Sequence, residues 1–92
     1  MNYLQATAER IRQELPADAM PDGSEALLLM YAVLARTKGR LTTAEDVHDA
    51  WTAWMTLRAE DHESLVPFKD LSPEVRKEDE PFLRAIRAAA ER

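Results

Sequence analysis

The side chains whose types and spacing could carry chemistry are two histidines, a band of carboxylates and two tryptophans. His48 and Asp49 are neighbours on a predicted helix, so their side chains diverge by about 100°. His48 and Thr52 lie one turn apart but form no recognised nucleophile pair, which leaves His48 an exposed or capping role. Asp61-His62-Glu63 gathers an imidazole and two carboxylates. With Asp79 or Glu80 brought from a later helix, this group could hold a divalent cation, or Asp61, His62 and Asp79 could act in hydrolysis. Zinc sites usually show a second histidine or cysteines at defined spacing, and this chain has no cysteine, so neither a metal nor another cofactor is expected. The alternative for His62 is structural: hydrogen bonding to a nearby carbonyl or carboxylate, fixing the loop that enters Leu65. Trp51 and Trp54, three residues apart, share a helix face. Trp51 is expected in the core. Trp54 is open to either place: it can pack in the core, or, beside Met55 and Arg58, sit at a rim and stack on a planar ligand or a partner's side chain.

Other chemistries are disfavoured by composition. With only Gly23 and Gly39 in 92 residues, no glycine-rich phosphate cradle of the common kinds can be built. Residues 43–80 carry eleven acidic against four basic side chains, a net of −7 within a whole-chain net of −5. That segment repels a phosphate backbone, so nucleic-acid binding is not expected. The longest apolar run, residues 26–35, is about half of a bilayer span, and the N-terminus lacks a basic region followed by an apolar stretch. The expectation is a soluble cytoplasmic protein that does not bind membranes. At this length, residues 1–92 form one domain, small enough that a partner or a second copy would add appreciably to its stability.

The elements that must position these residues are helical. Leu4, Ala8, Ile11 and Leu15 recur at helical spacing and predict a first helix over about 2–15. Pro16 and Pro21-Asp22-Gly23 interrupt the pattern, and Ser24 is placed to cap a second helix over about 24–38. Its segment Ala26–Ala35 is apolar on every side, which predicts the central, most buried helix or one half buried in a dimer. Gly39 suits a left-handed stop. Thr42-Thr43-Ala44-Glu45 fits a capping box with Thr42 as cap, opening a third helix over about 42–59 with Val47, Ala50, Trp51, Trp54 and Leu57 as its stripe. Leu65-Val66-Pro67-Phe68 is short and proline-bound, and is expected to run extended across the core over 65–68. Ser72-Pro73-Glu74 starts a last helix over about 72–91, kinked or broken near Pro81 because Pro81 cannot donate to the Lys77 carbonyl. The fold class is all-α, a small bundle of four principal helices.

Residues 44–51, Ala-Glu-Asp-Val-His-Asp-Ala-Trp, followed by residues 62–74 and Lys77-Glu78-Asp79, resemble the ryanodine-receptor repeat, the RyR domain, over about residues 43–88. The family's Gly-Trp-x-Tyr-Gly stretch is missing between the two blocks, and Glu63 stands where proline is usual. The resemblance implies motif positions at Trp51, His62, Leu65, Pro67, Phe68 and Asp79, and for the bacterial members a role in sensing nucleotide-like ligands. Leu65, Pro67 and Phe68 are expected to clamp the third helix against the last, and Asp79 to cap the helix beginning near Pro81. The layout and the arginine-over-lysine, alanine-rich composition also resemble small proteins of actinobacteria and their phages.

These features favour a non-enzymatic binding or adaptor protein, a bacterial or phage accessory factor that acts on a protein partner and could itself dimerise. No catalytic residue is assigned. The alternative is a small-molecule sensor with Trp54, Arg58 and His62 around a shallow pocket.

Overall fold

The structure is a computed structural model and describes residues 1–91. Asn2 opens α1 (Tyr3–Gln13) through a reciprocal box: its side-chain oxygen accepts from the Gln5 amide at 2.9 Å, and the Gln5 side chain accepts from the Asn2 amide at 2.8 Å. The helix ends two residues before the predicted Leu15, which stays buried in the following turn. Gly23, in the left-handed region at φ 76°, folds the chain back before α2 (Glu25–Thr37). Ser24 does not cap α2 with its hydroxyl as expected; the hydroxyl donates to the Pro21 carbonyl at 2.6 Å and closes the preceding turn.

Helix α2 packs against α1 and reaches the third and last helices, burying Leu27, Leu28, Tyr31, Ala32 and Ala35. It is central, but not enclosed on every side. Leu29 and Val33 are 37% and 44% exposed, because the surrounding helices leave one side of α2 outward.

Gly39, at φ 55°, takes the left-handed conformation expected of it and leads into a 3₁₀ turn, Gly39–Leu41. The next helix is capped by Thr43 and Asp46, one residue later than the Thr42 and Glu45 box expected. Thr42 is instead drawn inside. Its hydroxyl donates to the Gly39 carbonyl at 2.7 Å, and its own carbonyl accepts two N–H groups from Arg87, at 3.0 and 2.6 Å. Helix α3 (Ala44–Leu57) then stops two residues short of the expected end. Ala59 is left-handed at φ 57°, its amide bonds to the Thr56 carbonyl, and the Glu60 amide reaches the Met55 carbonyl at 3.2 Å, which is a Schellman stop built without glycine. Leu57, expected in the inward stripe, is 76% exposed.

The expected extended run is held only in part: Val66 lies in a bend, Pro67 is at φ −55° and ψ 146°, and Phe68 already begins a 3₁₀ turn, Phe68–Asp70. Ser72 caps α4 (Pro73–Arg76), accepting from the Val75 amide at 3.3 Å. The break expected near Pro81 falls at a 3₁₀ turn, Lys77–Asp79. It places Pro81 in the first turn of α5 (Glu80–Ala90), where a missing amide hydrogen costs no helical bond. Ile11, Ala32, Val47 and Ile86, one from each long helix, are completely buried and mark the centre of the bundle. The result is an all-α bundle of four principal helices, α1, α2, α3 and α5, with α4 as a one-turn prelude to the last.

Candidate functional site

A cleft of about 250 Å³ opens where α2, α3, the loop after α3 and the start of α5 meet. Leu27 and Tyr31 reach it from α2, one turn apart. His48, Trp51 and Trp54 reach it from α3 at successive spacings of three, so the helix presents one row of rings. His62 and Ser64 enter from the loop. Val75, Glu78, Asp79 and Phe82 come from α4, the turn after it and the first turn of α5. The break at Lys77–Asp79 is what turns Glu78 and Asp79 toward α3 instead of letting them continue along one straight helix.

The rings are mutually braced. Tyr31 and Phe82 lie 5.9 Å apart between centroids, His48 stacks on Trp51 at 5.6 Å, and His62 meets the Trp51 ring at 5.2 Å and nearly a right angle. These are the separations at which aromatic pairs attract. Phe68 backs His48 from outside the cleft at 6.1 Å, with the Arg76 guanidinium over its own ring.

His48 is not exposed or capping, as the sequence suggested; it is 4% exposed. Its Nε2 lies 2.7 Å from the Val66 carbonyl oxygen. A carbonyl only accepts, so Nε2 carries the hydrogen and the segment 65–68 is pinned to α3 by this bond. His62 accepts the Ser64 amide on Nδ1 at 3.0 Å, which leaves Nε2–H as the donor of its neutral form. That is the loop-fixing role expected of it, with an amide as the partner in place of a carbonyl or carboxylate.

Trp51 is not in the core as expected, and Trp54 takes the core side of the two places open to it. Trp54 is 6% exposed and part of the core, while Trp51 is only half-buried. Trp54 still lines the cleft, and the Arg58 guanidinium sits over its ring 4.4 Å from the centroid. Arg58 itself is not part of the lining; it is held by Glu60 at 2.8 Å.

Asp79 is the unusual group. It was expected to cap the last helix, but its side chain makes no cap bond, and its carboxylate has no hydrogen bond or ion pair among the described residues. Partial burial pushes it up to about 6; His48 opposes the rise and the neighbouring Glu78 adds to it. The Tyr31 hydroxyl is raised in turn, chiefly by burial and further by the negative charge of Asp79.

Of the residues singled out from the sequence, Trp51, Trp54, His62 and Asp79 come together in the cleft, and Arg58, Leu65, Pro67 and Phe68 do not. Leu65 and Phe68 do pack inward, but Pro67 is exposed and clamps nothing. Tyr31, His48, Glu78 and Phe82 were missed. A signal existed for Tyr31, the one polar-tipped residue in the apolar run 26–35. Among the described residues, no three histidine, aspartate or glutamate side chains converge as a metal site would need, and no helix is long and apolar enough to cross a membrane.

A family model described as a domain of unknown function (DUF7701) matches residues 2–91, and the chain belongs to that family. No curated protein and no solved structure matches the chain.

Proposed function

We propose that this member of the DUF7701 family is a non-catalytic module that binds a small molecule in the cleft between α2, α3 and α5. The observation that carries the proposal is the cleft itself, lined by four aromatic side chains and by the Asp79 carboxylate, which has no hydrogen bond or ion pair among the described residues. An apolar concavity with a few convergent polar groups is the ordinary form of a ligand site. Binding is favoured over catalysis because a ring nitrogen of each histidine is committed to the main chain, and His62 takes the Ser64 amide in place of activating its hydroxyl. Native mass spectrometry after incubation with the small-molecule fraction of a bacterial extract tests this. An added mass of a few hundred daltons, absent from a folded Trp51→Ala variant, is expected. A wild-type protein that retains nothing, or a variant that retains as much, contradicts the proposal.

A second reading, a protein-binding accessory factor, is favoured by the outward side of α2. Leu29 and Val33 form its exposed apolar stripe, flanked by Glu25 at one end and Arg36 at the other. An antiparallel second copy would set Leu29 against Val33 and Glu25 against Arg36 of its partner, so the surface complements itself in charge as a two-fold interface requires. Light scattering across a concentration series is the check. A monomer–dimer equilibrium abolished by Val33→Glu supports this reading, and a monomer at all concentrations removes it.

A further inference from the structure

We infer that the cleft selects an organic cation, a compact one- or two-ring molecule with a delocalised positive charge, over neutral or anionic molecules of the same shape. The inference rests on the ligand-binding proposal above and names the class of ligand.

Three observations carry it. Four aromatic side chains line the cleft; Tyr31 and Trp54 are nearly buried, and the half-buried Trp51 and Phe82 supply the accessible ring surface, which attracts cations through the ring quadrupole. Glu78 and Asp79 bring two carboxylates to one side, and among the described residues no lysine or arginine lines the cleft. Among the described residues, the other ionisable groups that line it are His48 from α3, His62 from the loop and the Tyr31 hydroxyl from α2. The same chain already places a guanidinium over an indole, Arg58 on Trp54, so an aromatic face of this protein holds a cation at contact distance.

The alternatives fare worse on the same ground. A phosphate or carboxylate entering the cleft would meet Asp79 and Glu78 with no cation to offset them. A neutral ring would gain stacking but leave the Asp79 carboxylate partly removed from water and without a partner. A cation gains the stacking and supplies that partner. The volume, about 250 Å³, lies just below the range of about 300 to 1,000 Å³ usual for ligand pockets, which fits one or two rings and excludes a dinucleotide.

The test compares three probes of one shape at pH 8 on the full chain: N-methylquinolinium, a permanent cation; quinoline, uncharged at that pH; and 2-naphthoate, an anion. Isothermal titration calorimetry gives affinity, and amide and indole chemical shifts give the place of binding. N-methylquinolinium is expected to bind in the cleft about tenfold more tightly than quinoline, and 2-naphthoate more weakly than either. Asp79→Asn should remove most of the preference for the cation while leaving quinoline affinity within about twofold, a split that loss of folding would not produce. Lowering the pH from 7.5 to 5 should weaken N-methylquinolinium binding in the wild type as Asp79 gains its proton. The Asp79→Asn variant should lose the part of that pH dependence that comes from Asp79.

If quinoline binds in the cleft as tightly as N-methylquinolinium, the cation inference falls and the ligand-binding proposal stands. If none of the three probes perturbs cleft residues, both fall. If the preference persists undiminished in Asp79→Asn, the carboxylate is not its source and the inference is overturned.

Discussion

Replacing Asp79 by asparagine should stabilise the protein above pH 7 and do nothing, or slightly the reverse, at pH 4. In the folded chain the Asp79 carboxyl is raised from 3.8 to about 6. The folded protein therefore holds this proton more tightly than the unfolded chain does, so stability falls as pH rises through the window from about 4 to 6 and is level above it. Fully expressed, a displacement of that size would correspond to roughly 3 kcal/mol. Asp79 is only half-buried, so solvent screening reduces this to about 1 kcal/mol. The perturbation is nearly isosteric, and the other titrating groups are common to both proteins. The informative quantity is therefore the difference in urea-unfolding free energy between variant and wild type, measured at pH 4, 5, 6, 7 and 8. The difference should grow by about 1 kcal/mol in favour of the variant between pH 4 and 7. A difference that does not change with pH would mean that Asp79 is solvated like a surface carboxylate. A difference that grows against the variant would mean that a positive group beside Asp79 stabilises the carboxylate. Either result would refute the reasoning that makes the cleft short of positive charge.

Three further outcomes follow from the fold. Ala59→Gly should raise stability by about 0.5 to 1 kcal/mol, because Ala59 sits at φ 57° and glycine relieves the left-handed penalty at some cost in chain entropy; thermal unfolding shows whether it does. Thr43→Ala should cost about 1 kcal/mol through loss of the α3 cap, whereas Thr42→Ser, which keeps the buried hydroxyl but removes a methyl, should cost about 1 kcal/mol for a different reason. No loss on Thr43→Ala would contradict the capping assignment. Ile86→Ala, at the completely buried centre, should cost about 3 to 4 kcal/mol by denaturant unfolding, and a loss under 1 kcal/mol would mean that the core is loosely packed.

The parts of the fold visible in the sequence are those decided within a few residues. The first helix follows from Leu4, Ala8 and Ile11, and the stop at Gly39 and the break ahead of Pro81 each rest on one residue's backbone limits. At Thr42-Thr43 the local pattern points to a box of Thr42 with Glu45, whereas the structure forms one of Thr43 with Asp46. What decides is Arg87, 45 residues away, whose guanidinium takes the Thr42 carbonyl. The outward shift of Trp51 has a similar cause. The buried face of α3 is centred on Val47, His48, Trp54 and Met55, a seven-residue repeat, so Trp51 falls toward the edge and Leu57 outside it. Counting apolar residues alone moved the stripe toward Leu57 and left His48 out. His48 belongs inside only because the Val66 carbonyl comes to meet it, a contact that no local pattern announces. The cleft is half visible: Trp51, Trp54, His62 and Asp79 are marked by type, but Tyr31 lies unmarked in the apolar run 26–35, and Phe82 joins it only where α2 and α5 converge.

The most direct test of the cleft as a binding site is to follow the two indole Nε1–H resonances, Trp51 and Trp54, in a ¹H–¹⁵N correlation spectrum while N-methylquinolinium is added to the folded protein. If the cleft is the site, both indole signals and the amides of Asp79 and Phe82 shift together and saturate with a single constant, while signals of Gln5, Glu9 and Leu29, which line a separate depression between α1 and α2, stay in place. Shifts confined to that depression, or shifts that never saturate, would contradict it.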